Sequence, residues 1–172
     1  MKYARRLSLL AAALVTLASA LALQATAGPP NHANRLEATF AETTVSVTNR
    51  IADLGVFQLI NKGTGTVEGF GDATVTVSVT QDRSVQPCGP GSWTNAGIRR
   101  IGLEGGVLVI RELSYVCQTD SGPVGTGSWE VDGPSSTGIF AGARGSGEDR
   151  IDISRRTSTL SGSLKLVDEK SS

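Results

Sequence analysis

The chain has 172 residues, of which 39% are hydrophobic and 19% are charged. Its 16 basic residues balance 16 acidic ones, and Lys2, Arg5 and Arg6 lie in a basic segment at the start. Without that segment 13 basic residues face 16 acidic ones, a net charge of −3. This charge argues against a protein that binds nucleic acid through phosphate contacts.

The first residues have the features of a secretory signal peptide. The basic segment precedes a mostly apolar run, 7–23, and Ala25-Thr26-Ala27 provides a small-residue cleavage site. Polar Gln24 and the Gly28-Pro29-Pro30 break argue against a membrane anchor. We therefore expect residues 1–27 to be removed and the mature protein to be secreted and free of the membrane.

The remaining 145 residues are enough for one domain with a hydrophobic core. We expect a flexible leader at 28–35, a β-barrel domain at 36–167 and a C-terminal tail at 168–172. The single histidine, His32, lies in the leader, so a catalytic triad built on histidine is not expected in the domain.

Short strands separated by glycine-rich turns are predicted along the whole domain. In 73–80, Val75, Val77 and Val79 alternate with threonine and serine, which indicates a half-buried antiparallel strand. The complete set of predicted strands is 36–47, 56–60, 73–80, 97–104, 107–118, 124–131, 137–143, 150–154 and 160–166. Many short strands of this kind predict an all-β antiparallel sandwich or barrel.

The pattern G-T-G-x-x-E-x-x-G occurs twice, at 63–71 and 125–133. A phosphate loop is excluded because the Walker lysine is missing and no helix is predicted to follow. Glu68 and Glu130 occupy equivalent positions in the two copies, each next to an apolar residue. If the apolar neighbours point inward, both acids face solvent. If the barrel has a polar lumen, both acids face a ligand and their pKa values are raised.

The two cysteines, Cys88 and Cys117, are 29 positions apart. In an exported protein such a pair predicts one structural disulfide, which would hold a loop near one end of the domain. Two cysteines without a nearby histidine make a poor metal site, so no metal is expected and no cofactor is predicted.

The segment 97–118 predicts a β-hairpin with a two-residue loop at Gly105-Gly106, whose glycines suit a type I′ turn. In that register Leu103 faces Leu108 on the apolar side of the sheet. Arg99 faces Glu112 on the same side and closes its end as an ion pair.

On the opposite side of this hairpin Arg100 faces Arg111, a like-charge pair. Either acids on flanking strands neutralise the two arginines, or they form an anion-binding spot. The strand is apolar on this outer side as well, over Val107–Tyr115. We expect either a homo-oligomer interface on this outer face or a loop that covers it.

The stretch Thr137-Gly-Ile-Phe-Ala-Gly-Ala-Arg-Gly-Ser-Gly147 is predicted to contain a glycine-rich strand, joined at Asp132-Gly133 to the G-T-G strand before it. In this stretch the chain resembles the allene oxide cyclase/dirigent barrel superfamily, whose members carry T-G-x-F-A-G-A-x-G-x-G after a G-x-G strand. It is similar, more closely, to small secreted bacterial proteins of unassigned role that share the stretches 86–91 and 131–140.

The resemblance implies an eight-stranded antiparallel barrel with a central cavity, in dimers or trimers. No catalytic residue of the superfamily matches a position here, so no catalytic residue is assigned. Trp93 and Trp129 are candidates for lining a cavity, Trp93 as a residue of its mouth. Asp149 and Asp152 flank Arg150 and are expected to form surface ion pairs.

Three functions are compatible with such a barrel. The first is a binding module that holds a small apolar ligand inside the barrel. The second is an extracellular interaction or oligomeric structural protein that uses the outer apolar face. The third is a cyclase-like enzyme, which requires a buried carboxylate or arginine that points into a cavity. We rank the binding module first and the enzyme last.

Overall fold

Eight antiparallel strands, each paired with the next and the last with the first, form a closed barrel in the computed structural model, which describes residues 35–167. The strands are β1 (Leu36–Ile51), β2 (Val56–Val67), β3 (Gly71–Asp82), β4 (Trp93–Leu103), β5 (Gly106–Thr119), β6 (Gly122–Val131), β7 (Arg144–Asp152) and β8 (Thr157–Lys165). The predicted all-β antiparallel barrel is confirmed. The predicted signal peptide, the leader with His32 and the tail at 168–172 lie outside the described residues, apart from Arg35.

Alternation of side chains explains the strands and the core. In β3, Ala73, Val75 and Val77 are buried while Thr74 is exposed, as a period of two requires for a sheet with one wet face. None of the helical segments in residues 35–167 is long and apolar enough to span a bilayer.

The two ends of the barrel differ. At one end, here called the open end, lie the β1–β2 hairpin, the loop 83–92 and the turns at 120–121 and 153–156. At the other end, the plugged end, β1 begins, β8 ends and the connection 132–143 crosses from β6 to β7. Phe140 of this connection is fully buried and its ring lies 5.3 Å from that of Phe70. The Phe140 side chain of this connection therefore fills the plugged end.

The prediction of a strand at 137–143 is wrong. The connection contains two 3-10 turns, Gly133–Ser135 and Gly138–Phe140, and β7 begins only at Arg144. Gly138 has a φ of +61°, a left-handed conformation that ends an extended run and that glycine adopts readily. The apolar and glycine-rich residues of this stretch therefore form turns that close the end of the barrel, and not a strand.

The same connection covers part of the outer face of β5. The Val109 N–H donates to Ser136 Oγ at 2.9 Å and the Val107 N–H donates to Thr137 Oγ1 at 3.1 Å. Val109 is fully buried as a result. Of the two expected alternatives, a covering loop is therefore found over Val107 and Val109, and a homo-oligomer interface on the rest of the outer face stays a prediction.

The β4–β5 hairpin has a different register from the one predicted. Leu103 pairs with Gly106 and Arg99 pairs with Ile110, a shift of two residues. The turn is fixed from outside the hairpin, because the Ile139 N–H of the connection donates to the Gly105 carbonyl. A shift of two residues keeps every side chain on its predicted face.

The predicted like-charge pair is wrong in this register. Arg100 pairs with Val109, and Arg111 pairs with Ile98 on one side and with Glu130 on the other. Arg111 Nη2 also donates to Asp132 Oδ2 at 2.9 Å. An acid therefore neutralises Arg111, which was the first of the two alternatives.

The disulfide between Cys88 and Cys117 is confirmed, with the two Cα atoms 5.6 Å apart. It joins the loop 83–92 to β5 near the open end. The disulfide therefore fixes the loop 83–92 at the rim of the barrel.

Replacing Gly138 with alanine is expected to lower the free energy of unfolding by about 2 kcal/mol, through the left-handed backbone and a steric overlap. A Cβ at this position would overlap the Gly105 carbonyl oxygen. Gly71→Ala is the matched control, because Gly71 also has a positive φ, +82°, but no heavy atom of the described residues lies within 4 Å of its Cβ position. Urea unfolding would measure both variants, and equal losses would contradict the plug described above.

Candidate functional site

The interior of the barrel has an apolar half and a polar half. The apolar half lies toward the plugged end and contains fully buried side chains such as those of Leu36, Phe40, Ile101, Leu108, Ile110 and Phe140. The polar half lies toward the open end. Five of its residues, here called the charged layer, are Glu42, Arg99, Glu112, Asp149 and Ser158.

Arg99 is the centre of the charged layer and is 1% exposed. Its Nε donates to Glu112 Oε1, and its Nη1 donates to Glu42 Oε1 and to Ser158 Oγ. The guanidinium also lies 5.3 Å from the centre of the Phe40 ring, at the top of the apolar half. One side chain from β4 thereby joins β1, β5 and β8 across the lumen.

The charges within the layer depend on one another. Burial acts to lower the pKa of Arg99, but the charges of Glu112 and Glu42 outweigh burial and hold that pKa above its ordinary value. Burial raises the pKa of Glu112, and the charge of Arg99 opposes this rise. The arginine is therefore a permanent buried cation whose hydrogen bonds hold two carboxylates.

Asp149 differs from the other two acids because its carboxylate forms no hydrogen bond with Arg99 or any other described residue. Its side chain is 2% exposed, and neither carboxylate oxygen has a hydrogen-bond partner within residues 35–167. The pKa of Asp149 is raised from 3.8 to about 7, mainly by burial and next by the charge of Glu112, while the charge of Arg99 opposes the rise. A perturbed, unpartnered acid of this kind is a common mark of a functional site.

Gly127 provides the space that Asp149 occupies. The two residues pair across β6 and β7, and a Cβ on Gly127 would overlap Asp149 Oδ1 and the Ser114 side chain. The second glycine of the G-T-G motif is therefore required by the acid next to it. The motif thus has a specific structural role in the polar half.

A pocket of about 290 Å³ opens beside the charged layer. It lies at the seam of the barrel between β1 and β8. The two strands pair only between Leu36 and Ala41 of β1, and beyond Ala41 β1 pairs with β2 alone. The lining residues include Glu42, Thr44, Asn61, Ile151, Arg156 and Ser158. Glu42 and Ser158 belong both to this lining and to the charged layer, so the layer forms the floor of the pocket.

Apolar side chains continue from the pocket toward the open end. Val47 pairs with Leu59, and Leu59 pairs with Val79, which packs against the core. Directly paired residues share a face of the sheet, so all three lie on the lumen side. These three side chains, here called the apolar wall, lie beyond the residues that line the pocket, on the side of the open end, and Val47 is 62% exposed there.

Trp93 lies at the open end, where the sequence analysis expected a mouth residue. The Arg83 guanidinium is 5.4 Å from the centre of the Trp93 ring and 5.2 Å from that of the Phe57 ring. These contacts hold two aromatic rings near one cation at the rim, a favourable geometry for a cation–π interaction.

Three other candidates do not face the lumen space. Trp129 is 2% exposed, packs in the core and donates from Nε1 to the Glu148 carbonyl at 3.0 Å. Glu68 is exposed near the β2–β3 turn and Glu130 is exposed on the outer surface, while their apolar neighbours are buried. The hypothesis of two acids facing a ligand at Glu68 and Glu130 is therefore wrong, and the polar lumen is built from other acids.

Glu42 and Ser158 were not among the site residues predicted from the sequence. The prediction that Asp149 forms a surface ion pair is wrong, because its side chain is buried. Glu42 continues the alternation of Leu36, Ala38 and Phe40, which all point inward. That period-two pattern is a signal that would have placed the Glu42 side chain in the lumen.

The outer surface carries a second, wider concavity of about 1070 Å³, which includes Ile98, Arg111, Leu113, Ser128, Glu130 and Ser146. Leu113 is 66% exposed there. No group of three or more histidine, cysteine, aspartate or glutamate side chains in residues 35–167 is placed to hold a metal ion.

No family model matches the chain, and no curated protein or solved structure matches it either. The eight-stranded barrel that the resemblance to the allene oxide cyclase/dirigent superfamily implies is present. Membership of that superfamily stays a prediction.

Proposed function

We propose that the protein is a secreted barrel that binds a small molecule, and that its site is the pocket at the seam. The pocket carries the proposal, because its polar floor of Glu42 and Ser158 lies below an apolar wall. Ligand sites typically combine apolar lining with a few converging polar groups. Secretion is supported by the predicted signal peptide and by the disulfide, which suits an oxidising compartment.

The proposed ligand differs in one respect from the apolar ligand expected from the sequence. The barrel's own side chains fill the apolar half, among them Phe40 and Phe140, both fully buried. The ligand therefore occupies the open half. Its apolar part would contact Val47 and Leu59, and its polar part would reach the charged layer.

The test is recovery of the ligand from protein purified gently from its natural source, followed by extraction and mass spectrometry. Leu59→Asp is expected to abolish retention, because a charge in the apolar wall opposes an apolar ligand. Leu113→Asp is the matched control on the outer surface and should retain the ligand. Equal retention by the two variants would place the ligand elsewhere and contradict the proposal.

An enzyme is the second candidate, because the lumen contains the buried acids and arginine that this hypothesis requires. The same mass spectrometry separates the two functions. A binding protein releases the molecule unchanged after incubation, whereas an enzyme releases a chemically altered product.

We also propose self-association through the outer face of β5, over a smaller surface than the predicted Val107–Tyr115. Leu113 and Tyr115 are 66% and 45% exposed, whereas Val109 is buried. A homo-oligomer interface on this face would therefore use Leu113 and Tyr115.

A further inference from the structure

We propose that the polar part of the ligand is an organic cation, such as an ammonium or amidinium group, and that Asp149 and Glu42 bind it. This inference rests on the proposed function, because it names the chemical class of ligand for the same pocket.

The first argument is the charge of the layer. Glu42, Glu112 and Asp149 contribute three carboxylates, and Arg99 is the single cation of the charged layer. Arg99 bonds to Glu42 and to Glu112. The carboxylate of Asp149 therefore has no bonded cation within residues 35–167.

The second argument is the hydrogen bonding of Asp149. Buried carboxylates nearly always have donors, and a buried acceptor without one is costly. Both oxygens of Asp149 lack a partner within residues 35–167 while the side chain is almost fully buried. An ammonium or amidinium group has several N–H donors and a positive charge, and it would satisfy both needs at once.

The third argument is the position of Asp149 relative to the pocket. Ile151 and Ser158 pair across β7 and β8 and both line the pocket, while Asp149 and Leu160 form the next inward pair of the same two strands. Asp149 is thus the next inward residue of β7 below the pocket. Asp149 does not line the pocket itself, so a cationic group has to pass between Ile151 and Ser158 to reach its carboxylate.

Other ligand chemistries fit the layer less well. An anion would approach three acids, and Arg99 is already held by Glu112, Glu42 and Ser158. A neutral hydroxyl donates one hydrogen bond and leaves the charge of Asp149 in place. At the rim, Arg156 is exposed, and Asp152 of the same lining is paired with Arg155 at 3.7 Å.

The experiment uses three probes of equal chain length: n-hexylammonium, n-hexanol and n-hexanoate. Each is titrated into the mature protein at pH 8 and followed by amide chemical shifts of residues such as Val47, Ile151 and Ser158. Hexylammonium is expected to bind about tenfold more tightly than either other probe. Asp149→Asn should abolish this preference and leave the affinity for hexanol unchanged. Glu148→Gln, its exposed neighbour on β7, should change neither affinity.

The outcomes separate the inference from the proposed function. If all three probes shift the pocket signals equally, or if Asp149→Asn keeps the preference for hexylammonium, the inference fails and the binding function stands. If none of the probes shifts those signals, the proposed function fails as well.

A second measurement on the unaltered protein guards against a variant that does not fold. The preference for hexylammonium should shrink as pH falls below about 7, because Asp149 becomes protonated while an alkylammonium keeps its charge. Glu42, Glu112 and Arg99 face the same layer, where Arg99 bonds to both glutamates. A preference that is constant between pH 8 and pH 5 would overturn the inference.

Discussion

Replacing Arg99 with methionine is expected to lower the free energy of unfolding by about 3–5 kcal/mol, the usual cost of removing one partner of a buried ion pair. Methionine fills much of the same volume, so the loss comes mainly from charge. Glu42 and Glu112 would stay buried with no cation between them, since both bond to Arg99. Urea unfolding followed by circular dichroism measures the change.

Arg100→Met is the matched control for this prediction. Arg100 is the next residue of β4 and is exposed, so its loss should change stability by no more than about 0.5 kcal/mol. The triple variant Arg99→Met, Glu42→Gln, Glu112→Gln should recover most of the lost stability, because Glu42 and Glu112 then no longer carry buried charges that the arginine neutralised. If Arg99→Met and Arg100→Met behave alike, the charged layer does not stabilise the barrel as described.

Replacing Asp149 with asparagine is expected to raise the free energy of unfolding by about 4 kcal/mol at pH 8 and by about 1.5 kcal/mol at pH 5. Folding raises the pKa of this carboxyl from 3.8 to about 7, mainly through burial. Between these values the folded protein holds a proton that the unfolded chain has lost. The stability of the unaltered protein therefore falls as pH rises from about 4 to about 7, and asparagine removes this fall.

Urea unfolding at the two pH values gives the gain directly. Glu148→Gln serves as the control, because Glu148 is the adjacent β7 residue and its side chain is exposed. A gain that does not depend on pH would mean that Asp149 does not titrate as its burial implies.

Local patterns in the sequence predicted the barrel well. The alternation in β3 and the glycine turns identified most strands, and the hairpin pattern identified Arg99 and Glu112 as an inward-facing ion pair. The two residues are diagonal neighbours and not a direct cross-strand pair, because the register is shifted by two residues. That shift comes from the connection 132–143, which contacts the hairpin from a distant part of the chain.

The rest of the site was harder to predict because barrel closure creates it. Glu42 and Ser158 are 116 residues apart and meet only when β1 pairs with β8. Asp149 follows Glu148 and precedes Arg150, a local charged sequence that also suits an exposed position. Its burial depends on the missing side chain of Gly127 on the neighbouring strand.

The bonds from Arg99 to both β1 and β8 also affect the order in which the barrel folds. The side chain of this β4 residue bonds to the first strand and to the last, so its contacts cannot be complete until β8 has joined the sheet. Proteins dominated by such long-range pairings fold in milliseconds to seconds, more slowly than helical bundles. Until β8 arrives, a growing chain would expose the edge of β1, and that edge is the surface most open to pairing with another chain during synthesis.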